Sequence, residues 1–178
     1  MAVEYFPCLF RLGGVDHYVI WYSDDPDGLV REGGLLVTFS SQTQLHVYAR
    51  SRGLTSQSAD VANYDWDFIA RWCDEPATTG LDVSRLLNAW NMVLDAMPRG
   101  DESRLFSHAN ARANALYDEL FRANYLPAMT PAGAEFQPVW TRAELVQLAH
   151  LLRLGVAEMR HQLNGHEGAR VVADADQA

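Results

Sequence analysis

The six histidines are where metal or acid–base chemistry would first be sought. His150 and His161 fall on one helical pattern, eleven residues apart. That puts them on one face but ~16 Å from each other, too far to share an ion. His161 and His166 are closer, but His166 lies beyond Gly165 in a polar tail. No H-E-x-x-H and no Cys/His pair at ligand spacing occurs. Asp24, Asp25, Asp27 and Gly28 imitate half of an EF-hand loop. With Gly28 in the sixth place the twelfth is Gly34, so the closing bidentate glutamate is missing and Glu32 falls two places short. These acids read as a solvated turn. No metal and no other cofactor is expected.

Phosphate and acyl chemistry fare no better. Gly13-Gly14 and Gly33-Gly34 do not extend to a phosphate loop, and all 14 basic residues are arginine, so no lysine reaches a phosphate. There is no G-x-S-x-G, and Cys8 falls in a strand pattern where a thiol is inert core. Cys8 and Cys73 are the only thiols, too few for a disulfide framework or a four-ligand zinc site.

Five tryptophans remain. Trp21 and Trp90 read as core. Trp66 and Trp72 differ because Asp65, Asp67, Asp74 and Glu75 surround them, which suits a binding surface that faces cations. Six residues on a helix turn through ~600°, so the two rings point to opposite sides. One can anchor in the core while the other reaches the rim. Trp66, Asp67, Trp72, Asp74 and Glu75 are therefore the expected partner contacts. The turn acids Asp24, Asp25 and Asp27 form a rival patch, equally charged but without an aromatic anchor.

The elements that would position these groups follow from periodicity. Residues 8–12 and 17–22 read as a hairpin across Gly13-Gly14, and residues 35–40 as a third strand, giving a small antiparallel sheet. Ser41 caps a helix stopped by Gly53, Asp65 a short one to Cys73, and Asp82 an amphipathic one ended by Pro98. Residues 109–125 form a fourth helix with Leu116, Leu120 and Phe121 on one face. Residues 126–138 read as an irregular loop. Thr141 and Glu144 make a capping box that opens the longest helix. The expected fold is α+β, a single domain over residues 1–163 with a flexible tail over 164–178.

The chain has 178 residues and a formal net charge of −9. Residues 1–102 hold 15 acids against 7 arginines, whereas 103–178 hold 8 against 7. The negative field belongs to the first part, which disfavours nucleic acid or an anionic membrane as partner and suits a basic one. No basic leader and no long apolar run is present, so a cytoplasmic location is expected.

Taken in order, several segments resemble immunity proteins of bacterial contact-dependent growth-inhibition systems. They are Tyr5-Phe6-Pro7 through Tyr22-Ser23-Asp24, Asp65-Trp66-Asp67-Phe68 to Trp72, and Leu86-Leu87-Asn88-Ala89-Trp90-Asn91. Tyr117-Asp118-Glu119-Leu120-Phe121 to Leu126-Pro127 and Pro138-Val139-Trp140 complete the series. The resemblance implies a protein that binds one cognate toxin domain, often a nuclease, and has no catalytic residues or small-molecule substrate of its own. A small α+β hydrolase using residues such as His108, Asp118 and Glu119, or a regulatory protein for another basic partner, are the competing readings.

Overall fold

Gly13 and Gly14 both adopt left-handed backbone, at φ 63° and 73°, and close a two-residue hairpin whose twist suits the flanking strands. From it run β1 (Glu4–Leu12) and β2 (Val15–Ser23), antiparallel, with Leu12 opposite Val15 and Glu4 opposite Ser23. The computed structural model describes residues 3–55, 60–97, 110–124 and 138–164. Side chains alternate across the ribbon. Cys8, Phe10, Leu12, Val19 and half-buried Trp21 join the main core. Tyr5, Tyr18 and Ile20 join a smaller cluster on the other face with Phe39, Leu45 and Ala49.

Short pieces follow. β3 (Gly28–Leu29) pairs with β2, while β4 (Arg31–Glu32) and β5 (Leu35–Leu36) form a separate ribbon. The third strand expected over residues 35–40 is therefore mostly irregular. Beyond Leu36, Val37 donates to Val30 O at 3.0 Å and Phe39 exchanges two 2.9 Å backbone hydrogen bonds with Tyr18, which seats its ring in the small cluster. α1 (Gln42–Ser51) starts at Ser41, whose hydroxyl accepts from the Gln44 N–H at 3.3 Å. It lays Leu45 and Ala49 on the second face of the hairpin and leaves Val47 exposed.

β6 (Ala62–Asp65) then pairs with β1 in parallel. The sheet is mixed, in the order β3-β2-β1-β6, and not the antiparallel sheet expected. Ala62-Asn63-Tyr64-Asp65 contains one strong strand former, so its pattern carries almost no strand signal.

α2 (Trp66–Asp74) follows without a break, and the Asp65 carboxylate caps it by accepting from the Phe68 N–H at 2.9 Å. Asp82 caps α3 (Val83–Ala96) and Asn110 caps α4 (Ala111–Ala123) in the same way. At α5 (Arg142–Asn164) the capping box forms: Glu144 accepts from the Thr141 N–H at 2.8 Å, and Thr141 Oγ1 accepts from the Glu144 N–H at 3.2 Å. Leu116 and Leu120 face the core as expected, but Phe121 is 52% exposed. It instead stacks on Tyr117, ring centroids 6.3 Å apart. The ends of the helix expected over 109–125, the loop over 126–137 and the tail from 165 onward lie outside the described residues.

The result is α+β. α2 packs against β1, α3 and α5 at once, and α5 also packs on α3 and α4. Phe10, Trp66, Leu86, Val93, Leu120, Leu148, Leu152 and Met159 fill the space between sheet and helices. Arg31 ties the small ribbon to the helix ends, donating to Gly34 O and Gln162 Oε1 at 3.0 Å each and to Ala96 O.

Candidate functional site

The α2 segment does not offer the aromatic surface expected of it. Trp66 is 1% exposed and Trp72 7%. Six residues leave the two rings ~120° apart around the helix rather than opposite, and because β1, α3 and α5 all pack on α2, both are covered. Trp66 sits edge-on to Phe10 at 5.9 Å, and the Trp72 indole donates to Ala77 O at 3.2 Å. Neither ring is placed to touch a partner, which corrects that part of the expected contact set. Asp67 is committed inside the fold. Its two carboxylate oxygens accept from the N–H groups of Gly13 and Gly14, at 2.7 and 2.9 Å, and so brace the hairpin turn. Asp74 and Glu75 are exposed at the end of α2, and Asp74 lies 3.8 Å from Arg153.

The rival turn acids occupy a different setting. Asp27 Oδ1 accepts from the Asp24 N–H at 3.0 Å and from the Ser23 hydroxyl at 3.1 Å, which fixes the turn between β2 and β3. Asp25 is exposed beside it, joined to Pro26 by a cis peptide. Asp24 and Asp27 line a cleft of about 650 Å³. The other walls come from elements far apart in the chain: Tyr5 and Tyr22 from the hairpin, Tyr48 and Arg52 from the end of α1, Arg31 and Glu32 from β4, and Asp95 from the last turn of α3. Tyr22 lies across Gly28 so closely that a β-carbon there would stand 2.5 Å from its hydroxyl oxygen. Glycine at that position is what lets the ring close the cleft.

Charges in the cleft are unevenly satisfied. Arg52 pairs with Glu32 and lies over the Tyr48 ring, 5.5 Å from its centroid. Arg31 is spent on the helix and turn carbonyls. Asp24, Asp27 and Asp95 have no ion-pair partner among the described residues. Asp95 is half-buried, and its Oδ2 accepts from the Trp21 indole N–H at 2.9 Å. Burial raises its pKa above the ordinary carboxylate value; the Trp21 hydrogen bond opposes the shift and nearby Asp27 adds to it.

No family model, curated protein or solved structure matches the chain. The case for a site therefore rests on geometry and charge. The other chemistries weighed from the sequence find no assembled site among the described residues. No group of His, Cys, Asp or Glu is arranged to hold a metal ion there. Burial pushes the Cys8 thiol up to about 12 and the Cys73 thiol up to about 11, far from nucleophilic range. Glu119 is paired with Arg122 at 3.2 Å and Asp118 is exposed on α4, while His108 and His166 lie outside the described residues. No helix among the described residues is long and apolar enough to cross a membrane.

Asp95, Tyr5, Tyr22 and Tyr48 escape sequence reasoning because nothing local joins them. One signal was available for Asp95: an acid in the last turn of a helix opposes the helix dipole, which favours cations there. Its raised pKa has a consequence. An acid whose pKa is raised by folding contributes stability below its unfolded value and loses it as pH rises through the folded value. At pH 7 the ionised Asp95 therefore costs stability. Asp95→Asn keeps an oxygen for the Trp21 indole and is expected to raise the thermal midpoint at pH 7, with the gain shrinking as pH falls through the raised folded value and lost below the ordinary carboxylate value. Melting curves across that range check it, and a lower midpoint at pH 7 would contradict it.

Proposed function

We propose that the protein is an immunity protein of the contact-dependent growth-inhibition type. It binds one cognate toxin domain in the cytoplasm of the producing cell and blocks it without turnover of its own. The observation that carries this reading is the cleft at the sheet end, which is walled by three tyrosines and holds three carboxylates with no ionic partner within the described fold. Such a surface suits a basic protein. Nuclease active sites are basic because they hold phosphate, so an acidic binder gains charge complementarity and a fast on-rate. The net charge of −9, concentrated in the first part of the chain, supports the same partner sign.

The partner surface is assigned to the cleft and its exposed rim, Asp24, Asp25 and Asp27, and leaves out the separate acidic patch of Asp74 and Glu75 at the end of α2. Co-expression with the toxin domain encoded immediately upstream is the test. Cells should survive induction of the toxin when this protein is present and die when it is absent. Equal killing in both cases would refute the immunity reading.

A further inference from the structure

The cleft contains its own small example of how it can treat a cation. Within its lining Arg52 lies on the Tyr48 ring while Glu32 takes its charge, a combination of aromatic face and carboxylate that holds a guanidinium well. Elsewhere in the lining the same components recur. Tyr22 lies against Gly28, the Tyr5 and Tyr22 centroids are 6.4 Å apart, and Asp24, Asp27 and Asp95 line the wall without an arginine paired to any of them among the described residues.

We infer that this second combination receives an arginine side chain of the partner, with Asp95 as its half-buried anchor; the inference rests on the toxin-binding reading of the same cleft. Arginine fits better than lysine for two reasons. Its planar group can lie on a tyrosine face, and its forked donors can engage more than one acceptor in a cleft lined by several carboxylates. Asp95 keeps acceptor capacity for the incoming group, because the Trp21 indole N–H is its one hydrogen bond within the described fold and falls on Oδ2. Asp24 and Asp27 stand at the exposed end of the cleft, where they attract the cation, and Asp95 lies deeper. A volume of about 650 Å³ accommodates the side chain together with neighbouring partner residues.

The Trp21–Asp95 hydrogen bond supplies the readout. The whole protein, isotope-labelled, is titrated with a capped pentapeptide whose central residue is arginine and whose other residues are glycine. A citrulline peptide of the same shape but without charge serves as comparison. The arginine peptide should move the Trp21 indole N–H resonance in a saturable way, the citrulline peptide should not, and Asp95→Asn should abolish the response. The same substitution should weaken toxin binding by about tenfold or more while the protein stays folded. No response to arginine, an equal response to citrulline, or unchanged toxin affinity in Asp95→Asn would overturn the inference. If toxin binding persists in those cases, the immunity reading stands and only the arginine site falls. A response to arginine in a protein that binds no toxin would support the site and remove the toxin as its occupant.

Discussion

Trp66→Ala is expected to destabilise the protein by about 3–5 kcal/mol, the range for emptying a buried aromatic site. Trp66 is among the most deeply buried side chains, at 1% exposure, and it stands where strand β6 passes into helix α2. Its ring packs edge-on against Phe10, which in turn meets Tyr64 at 5.4 Å, so one deletion loosens the sheet and the helix together. For a domain of this length the midpoint should fall by roughly 6–20 °C, at ~2–4 °C per kcal/mol. Trp66→Phe should cost far less. Among the described residues the indole N–H has no hydrogen-bond partner, so phenylalanine sacrifices volume but no polar contact. Denaturant unfolding of both variants checks this. A midpoint that hardly moves in Trp66→Ala, with partner binding lost, would mean that the ring acts at a surface and that the packing described for α2 is wrong.

Trp66 also marks where sequence reasoning succeeds and where it fails. Local chemistry is legible. Ser41, Asp65, Asp82 and the Thr141–Glu144 pair all cap the helices their positions announce, because a cap needs only a side-chain oxygen beside the first free N–H groups. The Gly13-Gly14 hairpin is legible for a similar reason: two successive left-handed residues specify the turn. Helical phase separates Trp66 from Trp72 by only ~120° around α2, short of the opposition expected. Phase also does not say how much of a helix is covered, and here β1, α3 and α5 all pack on α2. Asp67 misleads in the same manner. It reads as a free acid on an exposed helix, yet its partners are the N–H groups of Gly13 and Gly14, more than fifty residues earlier. The cleft is the least legible feature of all. Its tyrosines, turn acids and Asp95 share no spacing and meet only once the sheet has closed against α3. Of the candidate contacts, the turn acids were singled out for their charge, and the structure supplies the aromatic neighbours they lacked in the sequence.

The two acidic patches make opposite predictions. Asp24→Arg combined with Asp27→Asn changes the cleft charge strongly while keeping the Asp27 oxygen that accepts from the Asp24 N–H and the Ser23 hydroxyl. Truncating one side of a desolvated charge pair at an interface costs ~2–5 kcal/mol, which is roughly thirtyfold to several thousandfold in affinity. The double variant should fall in that range. Asp74→Arg with Glu75→Arg is the counterpart at the end of α2. It removes an exposed pair with Arg153 at 3.8 Å, a contact worth ~0–1 kcal/mol, and should leave both stability and affinity nearly unchanged. Both variants should melt close to the parent protein, so a difference in binding cannot be a difference in folding.

Calorimetric titration of the upstream-encoded toxin domain into the parent protein and these two variants tests the central claim most directly. The account predicts a one-to-one complex that weakens as salt is raised, at least about thirtyfold weaker for the cleft variant and within about threefold of the parent for the α2 variant. Absence of a complex with the parent protein, or loss of affinity confined to the Asp74 and Glu75 variant, would contradict it.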